Sequence, residues 1–126
     1  MANIRQKGLK YLIGLVGQPQ PTCVAVSKFF EPNESWTGRE TWWFNLPIKK
    51  IVKNKGEAYY LLGACRGHTD DFIVLAVPNQ FLMDNIEGFE TRYDNKIILH
   101  LAAYEDKWLV DERGKGRVAF SRFVVS

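Results

Sequence analysis

Cysteine is scarce in this chain of 126 residues, with only Cys23 and Cys65, far apart and each inside an apolar, strand-like run. That excludes a disulfide framework and a paired-cysteine zinc motif, and leaves two buried, reduced thiols as the expectation. Long apolar runs are missing too, since no stretch approaches the ~20 residues that cross a bilayer. The apolar segment Leu9 to Val16 is short, is interrupted by Gly14 and ends in Gln18-Pro19-Gln20-Pro21 without a small-residue cleavage site, unlike a signal peptide. A soluble, cytoplasmic protein is expected. Nucleophile motifs of the serine or cysteine type, phosphate-binding glycine loops and zinc spacings are all lacking, so the sequence implies no cofactor and no resident metal. It also lacks a strong excess of either charge: 17 Lys+Arg against 14 Asp+Glu give +3, which permits a polyanionic partner without requiring one.

What is present is one domain's worth of ordinary globular sequence, 46% hydrophobic and 25% charged. The charge is unevenly spread: residues 1–55 carry +6, residues 56–112 carry −7, and residues 113–126 carry +4 with no acidic side chain. Four Trp, five Tyr and eight Phe are enough to build a core and leave rings over for recognition.

Ile4, Leu9, Leu12, Ile13 and Val16 share one face at helical spacing, which predicts an amphipathic helix within residues 1–17. Thr22 to Phe30 reads as a strand. Glu31 to Glu40, polar and containing Pro32, Asn33 and Gly38, reads as a ten-residue loop or arm that invites mobility. Thr41 to Leu46 is a strand rich in aromatics that stops at Pro47, and Ile48 to Val52 is a short helix with a basic side. The same grammar returns with a strand at Ala58 to Cys65, a polar connection at Arg66 to Asp71, a strand at Phe72 to Val77, Pro78, and a helix at Asn79 to Ile86. Lys96 to Tyr104 and Lys107 to Asp111 form a hairpin about Glu105-Asp106, and Val118 to Val125 is a closing strand. The expectation is a mainly β fold of about seven strands with short helices at its ends, a single domain with its barrel over residues 22–125.

Four places carry candidate chemistry. The arm offers Ser35, Trp36, Thr37 and Arg39, which suit phosphate and base-edge contacts, although Trp36 folding back as a cap is an equal alternative. Arg113, Lys115 and Arg117 alternate with glycines, so the backbone can approach a phosphate that three cations neutralise; an ordinary solvated hairpin is the alternative. Arg66 and His68 lie in a polar turn that faces nucleic acid or simply connects strands; His68 with Asp70 and Asp71 is also a weak metal-binding pattern, lacking a second His or Cys in register. Glu105 and Lys107 have the acid-x-Lys spacing of a metal-dependent nuclease, with Asp84 or Asp94 as upstream carboxylates, but a solvated turn is the simpler account. In Trp42-Trp43, strand alternation puts one ring in the core and leaves the other as a surface platform.

The strand with Lys28, the arm Pro32 to Arg39, and Trp42-Trp43-Phe44-Asn45-Leu46-Pro47 with its short helix resemble the start of the DNA-binding pseudobarrel fold. That fold is shared by plant B-three transcription-factor domains and by effector domains of EcoRII-type restriction endonucleases. Phe72 to Phe81, Lys107-Trp108-Leu109-Val110 and Phe120 to Val124 resemble the plant domains' strand-Pro-helix and closing-strand signatures. The resemblance implies an open pseudobarrel that grips the major groove of double-stranded DNA with two arms. The first would be residues 31–40 and the second either 66–71 or 111–117, because both strand-Pro-helix units compete for one family position. It implies a non-catalytic, sequence-specific module of restriction or transcription control, acting beside a separate nuclease domain or subunit. Lys28, Arg113, Lys115 and Arg117 would hold phosphates, with Ser35, Trp36, Thr37 and Arg39 on base edges. Alternatives are a small nuclease centred on Glu105 and Lys107, a reader of modified bases with an aromatic cage, and a protein-binding barrel.

Overall fold

A computed structural model describes residues 3–17, 21–67, 70–92 and 94–125. The N-terminal helix is present as α1 (Ile4–Val16), begun by a capping box in which Asn3 accepts from the Gln6 amide and the Gln6 side chain accepts from the Asn3 amide. Gly8 lets α1 lie close on the sheet, because a Cβ there would stand 2.8 Å from the Val26 methyls.

Among the described residues six strands make two small sheets. The first has the order β1 (Val24–Ser27), β3 (Ala58–Ala64), β4 (Phe72–Pro78), with β1 parallel and β4 antiparallel to β3. The second has the order β2 (Thr41–Pro47), β6 (Lys96–Ala102), β5 (Glu90–Arg92), antiparallel throughout. Two helices of one device follow β2 and β4. Pro47 and Pro78 end the strands in extended geometry, and α2 (Ile48–Lys53) and α3 (Asn79–Asp84) begin directly after them. Each helix is closed by an asparagine whose side-chain amide donates to the carbonyl four residues back, Asn54 to Lys50 at 2.8 Å and Asn85 to Phe81 at 2.9 Å. A strand pattern interrupted by proline thus converts twice into strand plus helix, as the sequence predicts.

Alternation decides which side chains enter the core. Trp42, Phe44 and Leu46 of β2 and Ile97, Leu99 and Leu101 of β6 point inward to meet Ala25, Tyr59, Leu61, Leu75 and Val77 from the first sheet. Residues one step out of phase on the first sheet, Val24, Leu62, Ala64, Phe72 and Val74, form a second cluster under Leu12 of α1. Trp42 fits because Gly63 faces it, where a Cβ would come within 2.7 Å of the indole, and its Nε1 donates to the Ala64 carbonyl at 2.9 Å. Of the two adjacent tryptophans, Trp42 is in the core and Trp43 is exposed, as strand alternation requires.

The count of about seven strands needs correction. Leu109 has φ +60, outside the extended region, so the run Lys107 to Asp111 does not continue as a strand and contributes only two isolated bridges, Leu101 to Asp111 and Val110 to Ala119. The run Val118 to Val125 is broken by a 3₁₀ turn at Ser121–Phe123 and makes only the isolated bridges Val110 to Ala119 and Leu75 to Val124. The architecture is mixed α/β and mostly β, with two facing sheets. Cys23 is buried, whereas Cys65 is only half-buried, because it falls after β3 has ended; both are free thiols. No helix among the described residues is long and apolar enough to cross a membrane.

Candidate nucleic-acid interface

The arm leaves and rejoins the fold through a bridge between Phe30 and Thr41, whose amides and carbonyls pair at 2.9 and 3.2 Å. Between these points the chain is folded on itself. The Glu34 amide donates to the Glu31 carbonyl at 2.9 Å, the Ser35 and Thr37 hydroxyls meet at 2.8 Å, and the Thr37 amide donates to the Ser35 hydroxyl at 3.1 Å. Gly38, with φ +76, takes the left-handed turn that returns the chain to β2. The arm is therefore a compact Ω-like loop rather than a loose connection, and the hydroxyls of Ser35 and Thr37 are engaged with one another.

Trp36 stands at its tip, 65% exposed. Its ring meets two groups from elsewhere in the chain: the Arg113 guanidinium, 4.3 Å from the ring centroid, and the imidazole of His100, perpendicular at 5.6 Å. The register of the second sheet places Trp43 opposite His100, and these rings lie 5.1 Å apart. Trp36, Trp43, His100 and Arg113 thus form one cluster on the outer face of the second sheet, where arm 31–40 and loop 111–117 meet. Arg39 extends it, stacking 3.9 Å from the centroid of Tyr104, whose hydroxyl donates to Glu112 at 2.6 Å. Burial and that carboxylate push the Tyr104 pKa up to about 12.

Asp111 anchors this arrangement from below. Completely buried, it accepts hydrogen bonds from the amides of His100 at 3.0 Å and of Arg113 and Gly114 at 3.1 Å. Burial raises its pKa, and those three amides work in the opposite direction. The glycines of the basic loop have a role that differs from the expected approach to a phosphate. A Cβ on Gly114 would lie 2.2 Å from the Gly88 carbonyl oxygen, one on Gly116 would lie 2.7 Å from the Gly88 Cα, and the Gly116 amide donates to Gly88 at 2.9 Å. They let two backbones cross.

His100 is the anomaly of the cluster. It is 2% exposed, yet neither Nδ1 nor Nε2 has a hydrogen-bond partner. Burial, with Arg113 and Arg92 nearby, lowers its pKa to about 4, so the ring is neutral at pH 7. An unpartnered buried polar group of this kind costs about 1–3 kcal/mol.

Most cations expected to meet phosphate already have partners. Lys28 pairs with Glu34 at 3.2 Å and lies over Phe30; Arg39 pairs with Glu40 at 3.4 Å. Arg66 makes two hydrogen bonds to Glu31, at 2.6 and 3.1 Å, and so ties the 66–71 connection to the arm. Arg113 approaches Glu90 at 3.7 Å, and Arg117 donates to the carbonyls of Glu112 and Gly114. Lys115 is exposed and has no ion pair among the described residues. His68 lies outside the described residues. The arm therefore touches both segments expected as the second arm, Arg66 through Glu31 and Arg113 through Trp36. At the other end of β2, Lys49, Lys50, Lys53 and Lys55 form a basic surface with no ion pair among the described residues.

The carboxylates of the nuclease alternative are not brought together. Glu105 and Lys107 occupy an exposed 3₁₀ turn beyond the end of β6, Asp94 pairs with Lys96 at its start, and Asp84 accepts from Gln80 on α3. Among the described residues no three potential metal-ligating side chains form a group. A surface groove of about 960 Å³ runs along α1 past Lys10, Tyr11 and Leu15 and includes no residue of the aromatic cluster.

The sequence reading missed Trp43's partner His100, Asp111 and Tyr104. The available signal was a lone histidine inside the apolar strand Lys96–Ala102, but its meaning depends on strand register. No family model, curated protein or solved structure matches the chain.

Proposed function

We propose that the chain is a non-catalytic module that binds double-stranded DNA sequence-specifically through the face where arm 31–40 and loop 111–117 meet, its two sheets acting as an open pseudobarrel. The observation that carries this reading is the contact of Trp36 with Arg113, which joins two loops remote in sequence into one projecting surface of planar and cationic side chains. Arg39 lies on the arm, Lys28 and Arg66 pair with its carboxylates, and Lys115 and Arg117 lie on the loop. The carboxylates among them do not prevent phosphate contact, because exposed ion pairs contribute only ~0–1 kcal/mol and exchange readily. The side chains of Lys28, Arg39 and Arg66 are all more than half exposed in their pairs. The lysines around α2 supply phosphate contacts without base-reading groups, and so suit sequence-independent attraction. On this reading the module works beside a nuclease or regulatory partner.

Selection from a random duplex library, followed by titration between ~50 and ~200 mM salt, tests the proposal. Affinity for the selected duplex is expected to fall steeply with salt, and Lys115→Gln is expected to reduce the log–log slope by about 0.9 for the phosphate contact it removes. Absence of duplex binding, or binding indifferent to salt, overturns it.

A further inference from the structure

An imidazole 2% exposed with both nitrogens unpartnered needs an explanation, and its neighbours suggest one. The group that covers it is the indole of Trp36, a flat bicyclic heterocycle at the tip of an arm whose hydrogen bonds to distant parts of the chain are at its two ends, Glu31 with Arg66 and Glu40 with Ala103. Perpendicular to the imidazole at 5.6 Å, the indole offers at most its π electrons to the imidazole N–H and nothing to the lone pair. On the indole lies the Arg113 guanidinium at 4.3 Å, the position a cation takes over a stacked base. Trp43, 38% exposed, flanks the imidazole on the sheet itself.

We propose that Trp36, Trp43, His100 and Arg113 are the closed form of a nucleobase site, in which the Trp36 indole occupies the place that an unstacked base takes when the arm moves aside.

A base in that place lies under Arg113 and turns a polar edge, with its ring nitrogens and exocyclic groups, toward His100. The neutral imidazole provides one donor and one acceptor, the combination that a base edge complements and an indole does not. In the closed form burial lowers its pKa to about 4, so the imidazole there is neutral and carries both functions. Arg113, half-buried beside the site, is also placed to meet the phosphate attached to the base. This inference rests on the reading of the face as a nucleic-acid interface but differs from groove binding, since the base leaves its stack.

Two arms separate the sources of the base. In the first, adenosine, guanosine, cytidine and thymidine monophosphates are titrated into Trp36→Ala protein while the His100 imidazole nitrogens are followed by NMR. At least one nucleotide is expected to shift them, with wild-type protein binding it about tenfold more weakly because the indole competes. In the second, a fluorescent adenine analogue is placed at successive positions of the selected duplex, and one position is expected to change emission on binding wild-type protein. His100→Phe is the control: it should raise the melting temperature by removing the unpartnered nitrogens, and weaken nucleotide binding about tenfold. A purely structural histidine would not couple gained stability to lost binding. Salt-dependent duplex binding with unmoved His100 resonances and silent fluorescence overturns the base site and leaves the DNA-binding reading standing. Mononucleotide binding at His100 without duplex binding does the reverse. Failure of every nucleotide to shift His100 in the folded Trp36→Ala protein overturns the site outright.

Discussion

The outer faces of the two sheets are covered in opposite ways. Over the first sheet lies α1, whose Leu12 closes an apolar cluster of Val24, Leu62, Ala64, Phe72 and Val74. Over the second lies the arm, which meets the sheet through Trp36 and leaves the polar atoms of His100 unpartnered. The parts beneath are close copies: β2, Pro47, α2 and Asn54 match β4, Pro78, α3 and Asn85 in length and capping. What differs is the loop before each copy, ten residues long and bearing Trp36 at 31–40, shorter and without Trp, Tyr or Phe at 66–71. A helix with an apolar face yields a dry, well-packed layer, whereas a self-bonded polar loop yields a thin cover over a group that would gain from a partner. Stability resides in the first face, and the candidate function in the second.

If that contrast holds, the largest loss comes from the helix-covered face. Leu12→Ala should cost ~2–5 kcal/mol in chemical denaturation, as for any fully buried leucine. A loss below ~1 kcal/mol would mean that α1 is not structural. Asp111→Ala comes next, at about 3 kcal/mol, because it strips the amides of His100, Arg113 and Gly114 of their acceptor; the same measurement should show loop 111–117 exchanging its amide hydrogens faster.

Acid should then act on the second face. The folded-state pKa of His100 lies near 4, below the ordinary 6.5, so the unfolded chain takes up the proton first as pH falls. Stability present above ~6.5 is lost progressively down to about 4, on the order of 2–3 kcal/mol. Asp111, whose pKa burial raises, opposes this by binding its proton more readily when folded. Comparing wild type with His100→Phe across that interval isolates the imidazole's share, and identical pH profiles would contradict its neutral burial. The smallest effects belong to the arm's surface. Trp36→Ala and Arg66→Ala should each change stability by less than ~1 kcal/mol, since one ring is mostly exposed and the ion pair is solvated. A larger loss at Trp36 would make it a cap, the structural alternative to a recognition residue.

Local signals revealed the repeated units because they are local in origin. Pro47 and Pro78 stop strands by their own backbone chemistry, and the apolar spacing from Ile4 to Leu12 suits a helix wherever it docks. The last third was harder: Val118 to Val125 has strand composition, but Leu109's left-handed backbone and the Gly88 crossing with Gly114 and Gly116 divert the chain, and no residue pattern announces either. The expected site residues Trp36, Arg39 and Arg113 do share one face, while Ser35, Thr37 and Arg66 are bound up within or against the arm.

By itself the sequence determined a mostly β chain with an N-terminal helix, two strand-Pro-helix units and a polar arm bearing one tryptophan, because periodicity, proline and turn chemistry act over a few residues. Only the tertiary structure decided that His100 lies opposite Trp43, beneath Trp36 and beside Arg113, with both nitrogens unpartnered. Those contacts depend on antiparallel register and on two loops converging on one face, and register is set by the packing of the whole sheet rather than by any segment of it.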